Sequence, residues 1–190
     1  IENSFVCYMP YDMATCLAMF TNISMTLIST TRLEMYFHER YKSYSEAVIG
    51  GRLMDIENAK KRMFQQLGSE LLNMVRIQFI ISVVLYLACV VLLPQLGISG
   101  LTMEIYPGLA AGYFILFLMY TAIIYLYYFN DLTGALLTAF FFCIGTFVGT
   151  MFASMLAPLW YGMGLVGGAF LGWTLAYMRL RWTERNLDEH

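Results

Sequence analysis

The chain has 190 residues, of which 59% are hydrophobic and 13% charged, with 11 Lys and Arg against 13 Asp and Glu and a net charge of −2. A soluble domain carries about 25% charged residues, so a water-soluble fold of this length is excluded and the solvent must be lipid. The main basic stretch is nearly balanced by Glu34, Glu39, Glu46, Asp55, Glu57 and Glu70, which argues against nucleic acid as a partner.

Five apolar runs stand out, at roughly 11–31, 77–93, 105–129, 133–157 and 159–178. The first is the most polar. It carries Asp12, Thr15, Thr21, Asn22, Ser24, Thr26, Ser29, Thr30 and Thr31, more than a lipid-facing helix tolerates. One face of it must see protein or water. Asn22-Ile23-Ser24 fits the glycosylation pattern but falls at mid-membrane depth, where it would be inert.

Segment 32–76 is the long polar stretch, divided at Gly50-Gly51. Its first half is aromatic, with Tyr36, Phe37, Tyr41 and Tyr44. Its second half sets Leu53, Ile56, Ala59, Met63, Leu67, Leu71 and Met74 three or four residues apart, on one helical face. Two amphipathic helices at the membrane interface or the mouth of a bundle are expected here. They either connect spans or dock a partner through Tyr41 and Tyr44.

Pro94 closes the second run, and Gly97-Ile98-Ser99-Gly100 reads as a turn. Pro107 is expected in the first helical turn of the third run, where proline is tolerated. That run ends in the aromatic belt Tyr120, Tyr125, Tyr127, Tyr128 and Phe129. Asn130-Asp131 then makes a tight turn, with Asp131 as the cap of the next helix. In the last two runs Gly145 and Gly149, then Gly164, Gly168 and Gly172, stand four residues apart. That spacing clears a helix face for close packing.

Basic residues mark the cytoplasmic side. Eight fall in 32–76, and Arg179, Arg181 and Arg185 follow the last run, while segments 1–10, 94–104 and 158–162 have none. Five spans with the N-terminus outside and the C-terminus in the cytoplasm satisfy this bias. The fold expected is all-α: a polytopic helical membrane protein of about five transmembrane helices plus an amphipathic cytoplasmic helix pair over 32–76. The chain opens at Ile1 without a signal pattern, as a piece of a longer protein would.

Chemistry-bearing patterns are scarce. Phosphate loops, zinc motifs, nucleophile elbows and acidic metal clusters are missing from the sequence, so no catalytic residue, metal or cofactor is assigned. Cys7, Cys16, Cys89 and Cys143 lack metal or redox spacing. His38 has no triad or ligand set around it. Asp12 and Arg32, at opposite ends of the polar run and too far apart to pair, are the candidates for a hydrophilic path, with Asn22 and Ser29 between them. An arginine at the inner end could hold an anionic group such as a diphosphate.

Met9-Pro10-Tyr11-Asp12-Met13-Ala14-Thr15, Arg32-Leu33-Glu34-Met35-Tyr36-Phe37-His38-Glu39-Arg40-Tyr41, Ile56-Glu57-Asn58-Ala59-Lys60, Leu126-Tyr127-Tyr128-Phe129-Asn130-Asp131 and Pro158-Leu159-Trp160-Tyr161-Gly162-Met163-Gly164 together resemble the Pel exopolysaccharide transporter family, PelG. The resemblance covers nearly the whole chain. It implies a multi-pass protein of the bacterial inner membrane, related to polysaccharide and lipid-linked oligosaccharide flippases, with about twelve helices in two lobes. This chain would form the last five. Implied partners are membrane lipids, the polysaccharide substrate, a cytoplasmic glycosyltransferase making a cationic, hexosamine-rich polymer, and membrane partner subunits. The family pattern has Asp-Asp where this chain has Asn130-Asp131, which weakens an ionic role for that turn, and a proline where it has Ile23-Ser24, which removes a kink. Alternatives from other classes are a membrane-embedded lipid-linked glycosyl or acyl transferase and a structural membrane subunit. The first would need carboxylates clustered on one side, whereas Asp12, Glu104 and Asp131 are spread over both.

Overall fold

The computed structural model describes residues 9–32, 35, 38–50, 53–95, 97, 100–156 and 160–186, with side chains at 21–30, 32, 40, 47 and 53 left aside. Among the described residues the chain is all-α and has no strand. Six helices follow one another among the described residues: α1 Met9–Arg32, α2 His38–Gly50, α3 Leu53–Gln95, α4 Leu101–Tyr128, α5 Leu132–Leu156 and α6 Met163–Asn186. Three of them are long and apolar enough to cross a membrane: α3 over Met54–Gln95, α4 over Leu101–Tyr128 and α5 over Leu132–Leu156. The expected spans within α1 and α6 fall short of that measure among the described residues. Hydroxyl and amide side chains lower the apolarity of α1, while glycines, Arg179 and Arg181 lower that of α6.

The chain divides into two compact units, Ile1–Asn22 with Ile81–His190, and Ile23–Ile80. In the first, α6 packs on both α4 and α5. As numbering rises along α5 it falls along the α6 residues it meets: Gly145 lies against Gly168, and Gly149 against Gly164. These two helices are antiparallel. Against α4 the numbering rises together, with Gly112 against Leu165 and Met119 against Gly172, so α4 and α6 run parallel. The window of α4 is 50% buried and that of α5 11%, so α4 is an inner helix and α5 shows one broad apolar face outward. Phe140, Ile144, Phe147 and Met151 lie on that outward face. The start of α1 closes a second contact, where Ala14 and Ala18 bury against Ile105, Tyr106 and Leu109 of α4. Small side chains on α1 let the two helices come close.

In the second unit, α3 buries Met63, Leu67 and Met74 while Lys61, Arg62 and Gln65 are exposed. This is the amphipathic face read from the three-and-four spacing. The helix does not stop where that face gives way to the second apolar run at 77. It continues to Gln95, through Gly68, because a single interior glycine costs about 1 kcal/mol and does not break a helix. Polarity changes along α3 but the backbone does not.

Two starts and stops depart from expectation. Helix α4 begins at Leu101, so Pro107 stands in its second turn and offers no N–H to the carbonyl of Met103. Gly100, at φ 75°, supplies the left-handed backbone before that start. Helix α6 begins at Met163, leaving Trp160, Tyr161 and Gly162 as the described part of a turn after α5.

Candidate functional site

The turn between α4 and α5 is built from local chemistry. The N–H of Asp131 donates to the Leu126 carbonyl at 2.9 Å, and the N–H of Asn130 donates to the Tyr127 carbonyl at 3.0 Å. This paired closure ends a helix on one left-handed residue. Asn130 is that residue, at φ 57°, and asparagine tolerates the conformation better than most side chains. Asp131 then starts α5: its Oδ1 accepts the N–H of Gly134 at 3.0 Å, the capping role read from sequence.

The same carboxylate does a second job that the sequence did not show. Arg179 of α6 donates from Nε to Oδ2 at 2.6 Å and from Nη2 to Oδ1 at 3.1 Å. The two-point geometry is the strong form of an arginine–carboxylate pair. The Thr183 hydroxyl donates to the Arg179 carbonyl at 3.0 Å and lies 3.4 Å from Oδ2. The Arg179 guanidinium also covers the Trp182 ring at 4.2 Å. Gly134 has no side chain because a Cβ there would lie 2.5 Å from Arg179 Cγ. Burial pushes the Asp131 carboxyl up, but the Arg179 hydrogen bond, the Gly134 N–H, the Arg179 charge and Thr183 together hold it below the usual carboxylate range. The bond to Asp131 in turn raises Arg179. The ionic role of this turn is therefore intact in Asp131, and the neighbouring Asn130 serves the backbone.

At the opposite end of α4, Tyr11 of α1 meets Tyr161 edge-on, with centroids 6.5 Å apart and planes at 78°. Tyr86 stacks on Tyr106 at 6.0 Å. Between the two ends runs the glycine seam. A Cβ on Gly149 would lie 3.0 Å from Gly164 Cα, one on Gly145 would lie 3.1 Å from Gly168 Cα, and those on Gly164 and Gly168 would strike Thr150 and Thr146. Gly172 faces Met119 of α4 and Phe142 of α5 at once.

A family model described as "PelG: Putative exopolysaccharide Exporter (EPS-E)" matches residues 1–190. The chain belongs to the PelG family. It is a membrane protein of an exporter family, and the family description is of an exporter, not an enzyme. No curated protein and no solved structure matches the chain.

On this PelG-family chain the sequence candidates fall in separate places. Asp12 is exposed near the start of α1. Asn22, Ser29 and Arg32 lie further along α1, with side chains outside the described residues. Tyr41 and Tyr44 are half-buried on α2, where the Ser45 hydroxyl donates to the Tyr41 carbonyl at 3.1 Å. His38 is exposed. Cys16, Cys89 and Cys143 are free thiols, and Cys7 lies outside the described residues. The described residues contain no group of three His, Cys, Asp or Glu able to hold a metal. What the sequence did not reveal is the reach of Arg179 to Asp131, and the one signal available was that both fall on the same side of the membrane in the five-run reading.

Proposed function

We propose that this chain moves an exopolysaccharide out of the cytoplasm across the bacterial inner membrane, as the C-terminal part of a two-lobed, flippase-like transporter. The observation that carries this reading is the family match over the whole chain. The polymer is cationic and hexosamine-rich, as the resemblance to the Pel system implies. The polar face of α1 forms part of its path, with Asp12 at the outer mouth, Asn22 and Ser29 between, and Arg32 at the inner mouth. Hydroxyl and amide side chains in such number cost on the order of 1–3 kcal/mol each when buried without partners, so contact with water or a saccharide along the path favours them. A carboxylate at the exit attracts a cationic polymer. An arginine at the entry suits an anionic lipid or diphosphate. Segment 32–76 and the C-terminus are cytoplasmic by the placement of Lys and Arg. Tyr41 and Tyr44 serve as anchors for the polymerising glycosyltransferase, with membrane partner subunits completing the assembly.

Asp12→Asn and Arg32→Gln are each expected to lower polymer export while leaving membrane insertion intact, as read by secreted polysaccharide per cell against membrane-fraction protein. Cysteines placed at Asn22 and Ser29 should react with water-borne thiol reagents. Normal export by both variants, or no labelling at either position, would move the path elsewhere.

A further inference from the structure

Tyr106 and Tyr125 are fully buried and belong to the core. Tyr120 and Tyr127 are at least half exposed, as an interfacial belt requires. Tyr11, Tyr113 and Tyr161 fit neither pattern. They are half-buried and come from three separate elements, α1, α4 and the turn before α6. The Tyr11 and Tyr161 rings stand nearly at right angles, and Tyr11 and Tyr113 both pack against the buried cluster of Ala14, Ala18, Ile105, Tyr106 and Leu109. Their backbones are anchored: a Cβ on Gly112, next to Tyr113, would lie 3.1 Å from Leu165, and one on Gly162, next to Tyr161, would lie 3.1 Å from Leu109. One turn beyond Tyr11 on the same face, the Thr15 hydroxyl is buried with no hydrogen-bond partner among the described residues.

We propose that Tyr11, Tyr113 and Tyr161 form an aromatic corner that binds an organic ammonium group, the amine of an amino-sugar unit of the exported polymer. This rests on the export reading above. Tyrosine faces attract a cation through the ring quadrupole, and rings set at an angle enclose it from two sides. Phenol hydroxyls donate to and accept from sugar hydroxyls. The charge beside Tyr11 has the right sign: Asp12, its neighbour in the chain, is exposed, and residues 77–178 contain no Lys or Arg. An ammonium there is attracted by the Asp12 carboxylate.

Two sources could supply such an ammonium, the amino sugar and an ethanolamine lipid headgroup. The test uses the full-length transporter in nanodiscs of phosphatidylglycerol, with the fully deacetylated glucosamine tetramer and its N-acetylated counterpart as probes. The deacetylated tetramer should bind roughly tenfold more tightly than the acetylated one, and Tyr161→Ala should abolish that preference. Tyr161→Phe, which keeps the ring, should retain it and controls for folding. Equal binding of the two tetramers, or an unchanged preference in Tyr161→Ala, overturns the proposal. Loss of tetramer binding when phosphatidylethanolamine is added assigns the corner to lipid and overturns the amino-sugar reading. Export in cells is read separately: if gene deletion abolishes export but Tyr161→Ala exports normally, the corner is wrong and the export reading stands.

Discussion

Asp131 is the residue on which three helices depend. It follows the close of α4, caps α5 and holds α6 through Arg179. Its side chain is 10% exposed and that of Arg179 32%, so the pair is neither solvated nor fully sequestered. Breaking a buried pair costs about 3–5 kcal/mol and an exposed one about 0–1 kcal/mol. Arg179→Met is therefore expected to cost about 1–3 kcal/mol, and Asp131→Asn, which keeps a capping oxygen, somewhat less. The pH dependence follows from the lowered carboxyl. A depressed group contributes stability above its unfolded value, and that stability is lost as pH falls through the folded one. The Tm gap between the natural protein and Asp131→Asn should hold steady through neutral pH and narrow only below about pH 4. A gap that closes between pH 5 and 7 would contradict the assignment. The lowered carboxyl keeps the pair ionised at neutral pH, as a clasp between the turn and α6 requires. Glycines offer a matched contrast. Gly168→Leu drives a side chain into Thr146 and should remove folded protein from membranes, whereas a Cβ on Gly167 meets nothing within 4 Å. Gly167→Ala should be neutral or stabilising by up to about 1 kcal/mol. Equal yields and melting of the two variants would show that the seam does not depend on its glycines.

At the scale of elements, what sequence patterns encode is local. Long apolar runs made the all-α class legible, and Asn130-Asp131 made its turn legible, because cap and left-handed residue act over a few positions. The continuity of α3 was hidden, since a switch from mixed to apolar composition at 77 records a change of solvent and not a break in the hydrogen-bond ladder. The start of α4 at Leu101 was hidden for a related reason: proline suits a first turn but does not define one. Glycine spacing marks a cleared face without naming the helix that fills it. That Gly164 and Gly168 meet Thr150 and Thr146 is known only from the fold. The contact of Asp131 with Arg179, 48 residues apart, leaves no local trace at all. On α2, Tyr41 and Tyr44 remain the proposed anchors for a cytoplasmic partner. Changing both to Ala should lose the co-purifying glycosyltransferase, while undiminished co-purification would leave α2 as a connector.

At the scale of the whole molecule, contacts within the first unit fix which chain ends share a side. Asp131 with Arg179 brings the α4–α5 turn to the C-terminal end of α6, and Tyr11 with Tyr161 brings the start of α1 to the turn before α6. Both belong to one unit in which α5 runs antiparallel to α6 and α4 runs parallel to it. The side itself rests on the distribution of Lys and Arg. Single cysteines at Gln95 or Gly100 should react with an impermeant reagent from outside the cell, and labelling only after the cytoplasm is opened would invert the topology. Export of a polysaccharide is the activity proposed for this protein. The most direct measurement is extracellular polysaccharide from a strain lacking the gene, complemented with the natural protein or with Asp12→Asn, at matched membrane levels. Deletion should abolish secreted polymer, the natural protein should restore it, and Asp12→Asn should restore only part of it. Undiminished secretion in the deletion strain would contradict that activity.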